Sequence, residues 1–137
     1  MRTRQVMTLD DARRIAAAAE AEALKQGWKV VIAVCDEGGH LMWLQRLDGA
    51  QLMSVEVAPE KARASVLARR PSKALEDMVN GGRLAGLHLP VQCIEGGELI
   101  VVDGEILGAV GVSGVKPHED AQVARAGVAA IGASCTL

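Results

Sequence analysis

Apolar positions at the start of the chain follow a helical period: Ala12, Ile15, Ala16, Ala19 and Ala23 share one face. Thr8 followed by Asp11 reads as a capping-box start and Gly27 as a stop, so the spacing predicts a helix over residues 9–26. The pattern then becomes nearly continuous. Trp28 to Cys35 has the character of a strand buried on both faces, which needs helices on one side and a second layer or another subunit on the other. Asp36-Glu37-Gly38-Gly39 turns the chain into a partner strand, His40 to Arg46. After Leu47-Asp48-Gly49-Ala50 a helical stretch runs to Arg69, with Pro59 expected to kink or restart it. A short helix follows from Pro71-Ser72 to Val79, ended by Asn80-Gly81-Gly82, and a connector leads to Pro90. Val91 to Ile94, Glu98 to Val102 and Glu105 to Val112 read as strands, the last two joined by the hairpin turn Asp103-Gly104. Acidic Glu119 and Asp120 mark the amino end of a final helix reaching Ala133. The order α-β-β-α-α-β-β-β-α predicts an α+β fold: a five-stranded, largely antiparallel sheet flanked by helices, in one domain spanning residues 1–137.

Composition sharpens this picture in one respect. Half of the 137 residues are hydrophobic, yet Trp28 and Trp43 are the only aromatics and there is no Phe or Tyr. The core must be aliphatic, and the side chains that bury most area are scarce, a shortage that self-association offsets. Charge adds exclusions. Fifteen basic residues against seventeen acidic ones give a net charge of −2, and the basic ones form no run, so nucleic acid is not an expected partner. No apolar stretch is long enough to span a bilayer and the first ten residues lack a signal-peptide pattern, so a cytoplasmic protein with no membrane partner is expected. Cys35, Cys93 and Cys135 have neither a disulfide nor a zinc spacing, and no metal site is expected.

The segments Val34-Cys35-Asp36-Glu37-Gly38-Gly39-His40-Leu41 and Gln45-Arg46-Leu47-Asp48-Gly49-Ala50 resemble the first signature of the GlcG/HbpS family. Lys61-Ala62, Gly96-Gly97, Asp103-Gly104-Glu105, the strand Gly108 to Gly114, and Asp120 with Val123 to Gly127 continue that pattern over nearly the whole chain. The resemblance implies an antiparallel sheet flanked by helices, a homo-oligomer, often an octamer, and haem or a related small organic molecule as ligand. The carboxy-terminal domain of PduO-type proteins is similar. Their described histidine ligand near the first helix has no counterpart, since the first histidine here is His40.

Two readings distribute the candidate residues differently. A ligand-binding protein would use His40, Arg46, Lys61, Gly96, Gly97 and Ser113: a histidine for iron, cations for propionates, and small residues where a ligand approaches the backbone. His40 and Met42 lie on one face of a strand about 7 Å apart, too close to clamp opposite faces of one haem. A cofactor-free enzyme acting on a small carboxylate would use Arg46 and Lys61 to hold it, with Asp48, Glu56 or His40 moving a proton. A non-catalytic accessory subunit of a catabolic pathway is the third reading. The glycine runs match no nucleotide-binding loop, Ser113 lacks the context of a hydrolase nucleophile, and Cys35 sits in an apolar strand.

Overall fold

The computed structural model describes residues 1–137. Four α-helices and four strands follow one another as α1 (Leu9–Gln26), β1 (Val31–Asp36), β2 (Leu41–Arg46), α2 (Ser54–Ala68), α3 (Ser72–Asn80), β3 (Gly97–Val102), β4 (Glu105–Ser113) and α4 (Pro117–Ala129), with a 3-10 turn at Leu84–His88. All strand pairs are antiparallel, in the order β2-β1-β4-β3. The two hairpins therefore share one sheet, joined through β1 and β4.

The sheet has four strands, which corrects the expected five. Val91 to Ile94 forms no strand. The segment is short, follows Pro90, and is tied down by other means: Arg63 donates to the Pro90 carbonyl (2.8 Å) and the Cys93 thiol to that of Gly86 (3.6 Å). The sheet edge it would join is in use as well, since Val101 on β3 forms an antiparallel bridge with Ser134 near the carboxy terminus. Smaller differences follow from local chemistry. Pro117 takes the first turn of α4, where its missing N–H costs nothing, so that helix begins before the acidic pair. Pro59 lies inside α2 without ending it.

Both faces of β1 are covered from within the chain. Ile32 and Val34, with Val110, Val112 and Ile100, meet Ile15, Ala16 and Ala19 of α1 and Val123 and Val128 of α4. On the opposite face Val31, Ala33, Cys35 and Ala109 meet Ala58, Ala62 and Val66 of α2. A Cβ on Gly111 would run into the Ala58 carbonyl, and one on Gly97 into that of Lys61, so these glycines set how closely α2 lies on β4 and β3. The helix ends use the signals expected of them. Thr8 and Asp11 form a complete capping box, and Gly27 closes α1 at φ +75.

Candidate functional site

The close seating of α2 carries polar side chains into the interior. Ser54, Lys61 and Ser65 lie on the α2 face that meets the sheet, and all three are buried. Lys61 Nζ donates to the Val112 carbonyl and to Asp120 Oδ2, each at 2.9 Å, and both side chains are almost sealed, at 3% and 2% exposure. The other Asp120 oxygen accepts from the Val115 N–H at 3.1 Å. Around this pair, Ser54 Oγ and Ser113 Oγ lie 3.0 Å apart, Ser72 Oγ accepts from the Gly97 N–H at 2.8 Å, and Ser65 Oγ donates to the Lys61 carbonyl at 3.2 Å. Gly96, at φ +131, leaves the space its side chain would take to the Lys61 ammonium.

Lys61, Gly96, Gly97 and Ser113 thus come together in one buried polar seam between α2, the start of β3, the end of β4 and the first turn of α4. Burial raises the Asp120 carboxyl above its ordinary range, against the pull of Lys61. Neither Lys61 nor Asp120 lines any of the principal surface clefts. Chemically the seam is a fastening: its charges face one another and backbone groups, and every buried side-chain polar atom in the chain has a partner.

The remaining candidates stand outside it. Arg46 is paired in register with Val31 at the open edge of the sheet, with its side chain exposed. Asp48 lines a cleft of about 290 Å³ with Glu20, Leu24, Trp28, Lys29 and Leu47. Glu56 is exposed in the first turn of α2. The set Arg46, Asp48, Glu56 and Lys61 is not gathered into one site.

His40 has a different setting. Asp36 Oδ1 accepts from the backbone N–H groups of Gly38 and His40, both at 2.9 Å, and tightens the β1–β2 turn. The same oxygen lies 3.4 Å from His40 Nδ1, and the imidazole, 83% exposed, lies over Gly38. Its Nε2 is left without a partner in the chain. Arg63 packs its methylenes against Gly39 and donates to Pro90, joining this turn to the connector between α3 and β3. Leu41 and Leu44 on β2 and Leu84, Leu87, Leu89 and Ile94 along the connector are exposed, as are Leu52 and Met53 just before α2.

Comparison with known proteins gives the chain its family. The family model described as haem-degrading protein HbpS-like matches residues 7–129. The chain belongs to the HbpS-like family. Protein GlcG of Escherichia coli (strain K12) is 46% identical over 114 residues, covering 82% of this chain and 85% of GlcG. The corrinoid adenosyltransferase PduO of Salmonella typhimurium is 31% identical over 130 residues, covering 91% of this chain but only 39% of PduO. Among solved structures, a complex of PduOC with haem superimposes with a TM-score of 0.88 at 28% identity, covering 97% of this chain and all of that one. HbpS itself gives 0.88 at 30% identity, covering 96% and 94%.

Four members of the seam, Ser54, Ser65, Ser72 and Asp120, do not stand out as functional candidates in the sequence. Ser54 and Ser72 are ordinary helix-start serines by pattern, and Asp120 read only as an acidic residue at a helix amino end. A signal for Asp120 was present, since it stands in the family pattern with Lys61, but which lysine it meets is decided by how α2 lies across the sheet.

Proposed function

We propose that this HbpS-like chain is a homo-oligomeric binding protein for haem, or for a planar acidic organic ligand like it, held at a boundary between copies. The observation that carries the reading is the match, over nearly the full length of both chains, to a relative solved as a haem complex. The chain's own surface supports it. A haem needs an iron ligand, apolar contact for the ring and cations for the propionates. His40 offers an outward Nε2 with a carboxylate beside its other nitrogen, the relation that orients ligating histidines. Leu41, next in sequence, is 53% exposed, Arg63 reaches the turn from α2, and Arg46 stands at the far end of β2. Lys61, Gly96, Gly97 and Ser113 contribute from behind by fixing α2 against the sheet.

His40, Leu41 and Arg63, all at the β1–β2 turn, would serve one face of a haem. None of these residues lines a principal cleft of the single chain, and a second copy laid on the exposed leucines would supply the other face and bury apolar surface. When bound, haem would bring its iron as the reactive centre; the chain's part is to ligate, orient and shelter it. Titration of the purified chain with hemin, followed by Soret absorbance, tests the proposal. A saturable shift at stoichiometric hemin is expected, and His40→Ala should change the ligand-dependent spectrum. No shift at stoichiometric hemin overturns the function, while a shift identical in His40→Ala overturns the assignment of His40.

A further inference from the structure

A second cleft, remote from His40, lies at the β3 edge between α3, α4 and the carboxy-terminal segment. It measures about 390 Å³ and is lined by Lys73, Asp77, Glu98, Arg125, Cys135 and Thr136, among others. Glu98 is the unusual member. It sits on β3 opposite Val110, on the sheet face that carries the main core, and its residue is 5% exposed. Only one of its carboxylate oxygens is matched: Oε1 accepts from Arg125 Nη1 at 3.1 Å. Oε2 has no partner in the chain, yet no buried side-chain atom is left unsatisfied, so Oε2 opens to solvent through the cleft that Glu98 lines.

Arg125 is complementary. Its side chain is half-exposed and spends one nitrogen on Glu98, which leaves Nε and Nη2 free along the edge of the guanidinium. A nearly buried acceptor and a free bidentate donor edge thus stand side by side in one concavity. The rim adds little: Lys73 is already held by both oxygens of Asp77, at 2.9 and 2.8 Å, in an exposed pair.

We propose that this cleft binds a compact zwitterion of the α-amino acid class, with its ammonium on Glu98 Oε2 and its carboxylate on the free edge of Arg125. The neighbouring charges meet the requirement of such a ligand, whose two ends cancel. A bare carboxylate would find Arg125 but face the unsatisfied Glu98 oxygen, and a bare amine would reach Glu98 without filling the guanidinium edge. Recognition therefore needs both groups on adjacent atoms, and losing either partner leaves the other charge under-matched in a partly desolvated place.

The experiment is isothermal titration of the full chain with L-alanine, and in parallel with propionate and with ethylamine as the two half-ligands. L-Alanine is expected to bind saturably, at least about tenfold more tightly than either half-ligand, and Glu98→Gln and Arg125→Gln are each expected to weaken it by about tenfold or more. Arg125 is half-exposed, so its variant keeps the fold, and far-ultraviolet circular dichroism checks both variants; should Glu98→Gln fail to fold, Arg125→Gln decides. The proposal is overturned if L-alanine shows no saturable binding, if a half-ligand binds as well as L-alanine, or if a folded variant binds it like the parent. Hemin titration reads a different surface, so each proposal stands or fails by its own measurement.

Discussion

Asp120→Ala is the sharpest probe of what ties α2, on one face of the sheet, to α4 on the other. The substitution leaves the Lys61 ammonium in a site where its side chain is 3% exposed, with the Val112 carbonyl as its remaining partner, and strips the Val115 N–H of its acceptor. Removing one partner of a buried ion pair costs about 3–5 kcal/mol, because the surviving charge keeps its desolvation penalty. Against a total stability of roughly 5–15 kcal/mol, that is a large share. At a few degrees per kcal/mol for a chain of this size, the thermal midpoint should fall by about 10–20 °C. The double variant Lys61→Met with Asp120→Leu removes both charges and keeps the volume, so it should lose less than Asp120→Ala alone, the remaining cost being the Val115 N–H and the Val112 carbonyl left without these partners. Urea unfolding followed by circular dichroism measures all three chains, at one protein concentration because self-association would add a concentration dependence. A loss below about 1 kcal/mol for Asp120→Ala, or a double variant less stable than the single one, would refute the reasoning that the pair is a sealed fastening.

Further expectations follow from other contacts. Gly111→Ala places a methyl against the Ala58 carbonyl, an obstacle of backbone that no rotamer change relieves, and should cost about 1–3 kcal/mol or more by urea unfolding; a neutral effect contradicts the close seating of α2. Burial pushes the Glu98 carboxyl above its ordinary 4.5 despite the pull of Arg125. A carboxyl raised on folding gives stability that is fully present below its unfolded value and lost as pH rises through the folded one, so the parent should lose stability relative to Glu98→Gln from about pH 4 towards neutrality; a constant or opposite difference contradicts the shift. Burial also pushes the Cys35 thiol up to about 12 and that of Cys135 up to about 11. In the native chain near neutral pH, Cys93 should therefore react first with a thiol-specific chromogenic disulfide, and Cys35 only on unfolding, as mass mapping of the modified residue would show.

Much of the fold could be read from local chemistry because its signals are local. Thr8 with Asp11, the glycine after α1 and the Asp103-Gly104 turn, where both residues take positive φ, each specify their own conformation. The run Val31 to Cys35 also said truly that both faces of β1 would be covered, although the covering layer on the second face is α2 of the same chain. Val91 to Ile94 misled for a reason outside its own residues: the neighbouring sheet edge is taken by Ser134, far away in sequence. The candidate site divides along the same line. Lys61, Gly96, Gly97 and Ser113 were recognisable from the family pattern, and they do meet. What they do could not be read from the pattern, because the burial of the Lys61 ammonium and its pairing with Asp120 arise only once α2 is laid on glycine-lined strands. Arg46, Asp48 and Glu56 have suitable chemistry and exposed positions, but nothing in the packing draws them together.

Haem held between copies of this chain, as proposed above, would tie the Soret signal to the assembled species. Sedimentation velocity of the hemin-saturated protein, recorded at the Soret band and at a protein wavelength, tests it most directly. The Soret signal should travel only with a species of two or more chains, and the parent and His40→Ala should differ in the amount carried. Haem sedimenting with a single chain, or remaining free beside an intact oligomer, would contradict it.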